Sequence, residues 1–254
     1  MKKIITLFTF LSLIVATASA QGTMQGDIRF GFQASPGFSW LSSVEDNSVN
    51  NNGSNFGLKL GLLGEFYFRE NYAIFGGIGF AFGQGGTLQF EERGRYWPNT
   101  DIMELNPNNP MQLDTFPSGT NLSYNIQYIE IPFGLKLKTR EFGYLQYFVE
   151  IPVFSIGIRS QARGEIEANS TPNADNELVS EEVENEDYVI RDEVSLFNMS
   201  LGLGIGAEYN ISSSTSLVVG LNYNRVFTDI IKDNNSFDSQ VNMNNITLRV
   251  AVMF

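Results

Sequence analysis

The chain has 254 residues, a formal net charge of −12 and 21 Phe, but neither Cys nor His. An acidic chain lacks the basic surface that nucleic-acid binding requires, and a chain without Cys forms no disulfide and no thiolate metal site. Without Cys and His there is also no Cys nucleophile and no Ser–His or Asp–His catalysis, so we expect no enzymatic activity and no cofactor.

The first twenty residues, MKKIITLFTFLSLIVATASA, have the pattern of a secretory signal peptide. Two lysines precede an apolar run that ends near Val15, and the segment closes on the small residues Ala18 and Ala20. The apolar run is too short to span about 30 Å of hydrocarbon comfortably, which disfavours a membrane anchor. We therefore predict a signal peptide at 1–20 and a single exported domain at 21–254.

Apolar and polar residues alternate along most of the remaining chain. In FGLKLGLLGEFYF, for example, Phe56, Leu58 and Leu60 fall on one face, whereas Lys59 and Glu65 fall on the other. A period of two is typical of β-strands, because α-helices need a period near 3.6. In chain order, the alternating segments are about 28–41, 56–68, 72–92, 121–138, 144–162, 194–210, 216–229 and 241–254.

The connections between these segments alternate in length. The short ones are 69–71, 139–143 and 211–215, and the long polar ones are 42–55, 93–120, 163–193 and 230–240. An up-and-down meander with short turns at one end and long loops at the other produces this pattern. We therefore expect each strand to pair with its neighbours in the chain.

The chemistry of the second strand face distinguishes a membrane barrel from a soluble one. This face is rich in Gly, Asn, Ser and Thr, which suit the narrow interior of a barrel of eight strands. We predict an all-β fold, an eight-stranded antiparallel up-and-down transmembrane β-barrel with short periplasmic turns and long extracellular loops, in the outer membrane. The alternative is a soluble periplasmic, lipocalin-like barrel that binds a ligand between apolar faces pointing inward.

The chain ends on NITLRVAVMF, in which Ile246, Leu248, Val250 and Phe254 alternate with more polar residues. This pattern predicts a last strand that faces lipid, with its terminal aromatic ring at the periplasmic interface. A terminal aromatic residue in such a strand resembles the signal that the barrel assembly machinery recognises. We therefore predict that Phe254 is an assembly signal.

Charged residues on the polar face are predicted to pair inside the barrel, because a lone charge there would be costly. The predicted interior charge network consists of Arg29, Glu65, Glu130, Lys136, Glu150, Glu208 and Arg249. The same face also carries Lys59, Arg159 and Arg225. Five of these residues lie near the short-turn end of their strands, namely Arg29, Glu65, Lys136, Glu208 and Arg249. They predict a salt-bridge plug there, and the alternative is an ion-selective constriction.

The tripeptide Glu-Ile-Pro occurs on two consecutive strands, beginning at Glu130 and Glu150. Because these carboxylates lie nearly symmetrically about the turn 139–143, we predict that they are cross-strand neighbours inside the barrel. Pro132 and Pro152 cannot donate hydrogen bonds to a ladder, so bulges or distorted pairing are expected beside them.

Two long loops are candidate contact sites. Loop 163–193 is densely acidic, which predicts either a solvated external loop or a Ca²⁺ site formed by carboxylates. Loop 93–120 is rich in Pro and Asn, and we expect Trp97, Met103 and Phe116 to be exposed there for a partner.

The motif YIEIP at 128–132 and the terminal RVAVMF, together with the alternating pattern, resemble the PorT-like outer-membrane β-barrel family of Bacteroidota. The resemblance implies an outer-membrane location and leaves the activity open. We predict a small non-enzymatic barrel with a structural or interaction role, a plugged lumen and loops as contact sites. The alternative is a narrow pore or a component of an envelope secretion or transport apparatus. Expected partners are outer-membrane lipid, the barrel assembly machinery, and an envelope protein that contacts loops 93–120 and 163–193.

Overall fold

The computed structural model describes residues 27–43, 49–92, 94–100, 116, 118–167, 171–172, 178–179, 187–212, 214–232 and 240–254. The predicted signal peptide lies outside the described residues. No helix among them is long and apolar enough to cross a membrane.

The described chain is built from β-strands joined by turns and loops. In chain order the strands are β1 (Asp27–Ser43), β2 (Val49–Arg69), β3 (Tyr72–Phe90), β4 (Thr120–Lys138), β5 (Leu145–Glu167), β6 (Thr171–Pro172), β7 (Leu178–Val179), β8 (Tyr188–Val189), β9 (Phe197–Asn210), β10 (Ser216–Val226) and β11 (Val241–Met253). The three two-residue strands belong to the loop between β5 and β9. The eight long strands match the eight predicted segments.

The eight long strands close into a ring in which every neighbouring pair is antiparallel. The order around the ring is β1, β2, β3, β4, β5, β9, β10 and β11, and β11 pairs back onto β1. The seam ends with two backbone hydrogen bonds between Phe30 and Phe254, at 3.1 and 2.7 Å. Closure pairs each of the eight long strands on both sides, so the predicted up-and-down barrel is confirmed.

The apolar face of each long strand points away from the lumen. We call this outward surface the apolar belt; it includes Phe30, Phe32, Phe38, Phe56, Leu60, Leu62, Phe68, Ile74, Phe80, Phe82, Ile131, Phe133, Leu135, Val149, Ile156, Met199, Leu203, Tyr209, Val219, Leu221, Ile246, Leu248, Val250 and Phe254. On β11 the belt runs from Ile246 to Phe254, a length that suits a tilted strand crossing hydrocarbon. The lipocalin-like alternative requires these faces to point inward, and they do not.

The apolar residues change face along a single strand. At the loop end of β4, Leu122, Ile126 and Tyr128 are buried inside the barrel, whereas Ile131 and Phe133 are exposed outside it nearer the turn end. The even-numbered residues of β4 point into the barrel along the whole strand. What differs between its two ends is therefore the environment on each side of the sheet. The loop end therefore projects beyond the apolar belt and has an apolar interior, as a water-soluble domain does.

The connection between β1 and β2 differs from the prediction. The sequence indicates a long loop at 42–55, but the two strands extend toward each other and leave only 44–48 between them. Asn50 pairs with Gln89 and Gly53 with Thr87 on β3. This segment lacks apolar alternation because its outward residues lie beyond the apolar belt, and backbone pairing keeps it in the sheet.

Replacing Leu62 by Arg tests where the hydrocarbon lies. Leu62 is 50% exposed in the middle of the outward series of β2. We expect Leu62→Arg to lower the free energy of unfolding in phospholipid vesicles by about 2–4 kcal/mol, because a charge at the bilayer midplane loses its hydration. Urea titration of the refolded protein measures this cost.

The matched control is Asn50→Arg, on the same strand beyond the apolar belt. It should change the free energy of unfolding by less than about 0.5 kcal/mol. Equal stability of the two variants would show that the outward face meets water.

Candidate functional site

The turn end of the lumen is filled by charged side chains around Glu208, which is fully buried. Its carboxylate receives hydrogen bonds from Arg29 and from the Ser216 hydroxyl, the latter at 2.7 Å. Lys138 Nζ lies 3.0 Å and Lys136 Nζ 3.5 Å from Glu208 Oε2. One carboxylate thus contacts three cations from two strands on other parts of the ring.

A second carboxylate, Glu65, completes this group. Lys136 Nζ donates to Glu65 Oε1 at 2.5 Å, and the Tyr67 hydroxyl donates to Oε2 at 2.6 Å. We call Arg29, Glu65, Tyr67, Lys136, Lys138, Glu208 and Ser216 the ionic plug. Lys138 is absent from the predicted network, although its spacing of two from Lys136 places it on the same inward face.

Two aromatic rings lie across the lumen next to the ionic plug. Lys136 Nζ is 4.6 Å from the ring centre of Phe148, and the Arg249 guanidinium is 6.0 Å from that of Phe75. A Cβ added at Gly206 would lie 2.5 Å from Phe148 Cζ. The glycines of GLGIG are therefore small interior residues that leave room for this ring.

Two further ion pairs lie deeper in the barrel. Arg249 Nη1 donates to both oxygens of Glu150, at 2.6 and 2.7 Å, and Lys59 Nζ donates to both oxygens of Glu130, at 2.9 and 3.0 Å. The sequence groups Arg249 with the turn-end charges, whereas the structure pairs it with Glu150. Every carboxylate of the predicted network contacts a cation.

The predicted contact between Glu130 and Glu150 is wrong. On the β4–β5 ladder Glu130 is opposite Gly157, and Glu150 is opposite Lys136. The turn that joins these strands is centred nearer Gly143 than the sequence suggests, and this shifts the register. The two carboxylates therefore lie in different layers, each beside its own cation.

The expected distortion beside Pro152 is present, because the β5–β9 register shifts between Glu150 and Val153.

The prediction that Arg225 lies on the inward face is wrong. Arg225 lies on the outward face of β10 with Leu221 and is exposed.

A polar cavity of about 40 Å³ lies in the middle of the barrel. Gln33, Lys59, Ser155, Asn224 and Arg249 are among its lining residues. A cavity of this size has room for only a few water molecules.

The loop end of the lumen is closed by an apolar cluster. Residues from loop 91–119 and from 187–196 pack on the inward faces of β3, β4 and β5. We call this cluster the apolar cap; it includes Leu88, Phe90, Tyr96, Trp97, Phe116, Leu122, Tyr124, Ile126, Ile166, Tyr188, Ile190 and Val194.

The burial of two cap residues corrects the prediction that they are exposed. Trp97 is 1% and Phe116 2% exposed, and Trp97 Nε1 donates to the Tyr124 hydroxyl at 3.0 Å. Both side chains turn into the barrel mouth because the inward face there is apolar. Met103 lies outside the described residues.

Polar contacts hold the two capping segments together. The buried Glu193 carboxylate accepts hydrogen bonds from the Asn99 backbone at 2.6 Å and from the Thr100 hydroxyl at 3.1 Å. Arg159, on β5, donates to the Val194 carbonyl. These hydrogen bonds join the two capping segments to each other and to the barrel wall.

Other predicted contacts fall partly outside the described chain. Most acidic residues of loop 163–193 lie in 168–186, whose side chains are not described. Within the described residues, no three Asp or Glu side chains form a cluster suited to a metal ion. Phe254 lies at the turn-end edge of the apolar belt and is 56% exposed.

A family model described as "Outer membrane protein beta-barrel domain" matches residues 19–232. No curated protein sequence matches the chain.

Solved structures with a similar fold include outer-membrane barrels of different roles. The chain is similar to neisserial surface protein A, with 11% identity over 92% of this chain and 100% of that chain and a TM-score of 0.41. It is also similar to the outer membrane protease OmpT of Escherichia coli, with 9% identity, 93% and 99% coverage and a TM-score of 0.43. A third is a major outer membrane protein of Thermus thermophilus, with 12% identity, 90% and 100% coverage and a TM-score of 0.39.

Proposed function

Because the chain belongs to the family of outer-membrane β-barrel domains, we propose that it is a closed, non-enzymatic barrel with a structural or interaction role. The outward apolar belt supports its position in the lipid of the outer membrane. The absence of Cys and His from the whole sequence supports a role without a Cys nucleophile or His-assisted catalysis.

The observation that carries this proposal is the packing of described side chains at both ends of the lumen. The ionic plug fills the turn end, the apolar cap fills the loop end, and a cavity of about 40 Å³ lies between them. A narrow pore requires a continuous water-filled path, and each closed layer interrupts it. The alternative of an ion-selective constriction is therefore less well supported than a plug.

A closed barrel has its two ends and its lipid-facing wall as contact surfaces. We propose that the loop end faces the cell exterior and contacts an envelope protein through loops 93–120 and 163–193. During biogenesis, Phe254 would be recognised by the barrel assembly machinery. Its exposed position at the edge of the belt supports that role.

A finer family assignment is also a proposal. The motif YIEIP at 128–132 and the terminal RVAVMF support a place among the PorT-like barrels of Bacteroidota. In that case the contact surfaces would serve an envelope secretion apparatus. Cross-linking in intact cells followed by mass spectrometry would identify such a partner, and a chain that cross-links only to itself or to lipid would contradict the assignment.

Conductance in a planar lipid bilayer tests the closed lumen. We expect the refolded protein to insert without discrete conductance steps, because the plug and the cap both exclude a water path. Insertion is verified on the same preparation by a heat-modifiability gel, since a folded barrel migrates differently until it is boiled. Reproducible single-channel steps from an inserted, folded protein would contradict the proposal.

A further inference from the structure

A concavity of about 680 Å³ lies on the outer surface of the barrel, on the loop side of the apolar belt. We call it the surface trough; its lining includes Ser54, Gly83, Ser123, Asn125, Gln127 and Arg163. It crosses β2, β3, β4 and β5, outside the lumen and separate from the ionic plug.

The surface trough begins where the apolar belt ends. Phe56 lines it and is 66% exposed, and Phe82, the last exposed apolar residue of β3, directly precedes Gly83. On β4, Gln127 lies in the trough, and the exposed apolar series of the belt follows it toward the turn end. The trough is therefore level with the polar head region of a surrounding bilayer.

The backbone of β3 forms the floor of the trough. Gly83 has a φ of +67°, and a Cβ added there would lie 2.6 Å from the Phe56 carbonyl oxygen. A larger residue would have to displace the backbone of β2. The bulge at Gly83 thus leaves a section of the outer wall without side chains.

The walls of the trough are mainly neutral and polar. Ser123, Asn125 and Gln127 project from β4, and Gln161 faces Gln127 from β5. Amide and hydroxyl groups both donate and accept hydrogen bonds, as sugar hydroxyls do. The exposed Phe56 ring at the rim offers an apolar surface to the C–H face of a sugar ring.

The charges of the trough disfavour an anionic ligand. Arg163 is already paired with Asp187, and Glu165 contributes a second carboxylate. Among the described lining residues, two carboxylates accompany one guanidinium that is already paired, so none of them offers an unpaired cation to a phosphate.

We propose that the surface trough binds a neutral, hydroxyl-rich saccharide of the kind that surface glycolipids carry at this level. The saccharide lies over Gly83 and exchanges hydrogen bonds with the side chains of β4 and β5. This inference does not depend on whether the lumen conducts.

Isothermal titration of the mature protein with a lipid-free saccharide tests the proposal. The probe is a neutral hexose oligosaccharide prepared from the outer core of purified lipopolysaccharide, free of phosphate and of acidic sugars. The detergent is lauryldimethylamine oxide, which has no sugar head group. We expect saturable binding by the wild-type protein. Asn125→Leu should weaken it at least about tenfold, because sugar hydroxyls lose their amide partner.

The matched control is Asn50→Leu, which changes an outward asparagine of β2 outside the trough and should bind as the wild type does. A heat-modifiability gel confirms that both variants are folded. Competition by intact lipopolysaccharide would identify a lipid-linked saccharide, and its failure to compete would identify a free one. No saturable heat at millimolar oligosaccharide, or equal affinity of the Asn125→Leu and Asn50→Leu variants, would overturn the proposal.

Discussion

Glu208→Ala is expected to destabilise the barrel by about 3–5 kcal/mol, because removal of one partner leaves buried cations without compensation. Arg29, Lys136 and Lys138 all contact this carboxylate in the ionic plug. Urea unfolding of the protein refolded in phospholipid vesicles, followed by circular dichroism, measures the loss. Glu208→Gln keeps a hydrogen-bond acceptor without the charge and should lie between the wild type and the Ala variant.

Asp187→Ala is the control for this prediction, since it removes the acid of the half-exposed ion pair with Arg163. Exposed pairs contribute about 0–1 kcal/mol, so the free energy of unfolding should barely change. If Glu208→Ala cost no more than Asp187→Ala, the ionic plug would not stabilise the barrel.

Trp97→Ala is expected to cost about 3–5 kcal/mol of stability and to loosen the apolar cap, because it removes a large buried side chain. The indole ring packs edge-on against Tyr124 and lies near Tyr188, and its N–H donates to the Tyr124 hydroxyl. Limited proteolysis of the folded protein should therefore cleave loop 91–119 faster in the variant. Urea unfolding gives the accompanying change in stability.

Trp40→Ala is the matched control, because Trp40 is the second tryptophan of the chain and is only partly buried on β1. Trp40→Ala should lower the free energy of unfolding by less than Trp97→Ala does, and it should leave the cleavage rate of loop 91–119 unchanged. Equal cleavage of the Trp97→Ala variant and the wild type would show that the cap does not depend on the indole ring.

The strands and their faces could be predicted because a period of two is a local property of the chain. Alternation alone places every second residue of 56–68 and 246–254 on the outward face, beginning with Phe56 and Ile246, and the exposed fractions agree. Gly, Asn and Ser on the other face indicated a narrow interior, and the cavity of about 40 Å³ agrees with that.

The pairing of charges could not be predicted to the residue. Alternation gives the face of a side chain but not its height in the barrel, and height depends on the register between strands. A change in the centre of one turn moved Glu150 beside Lys136 and away from Glu130. For the same reason, Arg249 pairs with Glu150 and not with the turn-end charges.

The cap was missed because loop residues carry no periodic signal. The Pro- and Asn-rich composition of loop 93–120 predicts that Trp97 and Phe116 are exposed, and nothing local indicates that these two side chains turn into the barrel mouth. One local pattern on β4 does indicate an apolar interior at the loop end, because its apolar residues change face between Tyr128 and Ile131.

By itself, the sequence determined the class of fold, the number of long strands and the face of most residues on them, because these follow from short-range alternation and connection length. Only the tertiary structure decided which charges meet, where the belt ends and how the lumen closes. Those features depend on register and on contacts between residues far apart in the chain, such as Arg29 with Glu208 and Asn99 with Glu193. Closure of the ring sets those distances, and no local pattern encodes them.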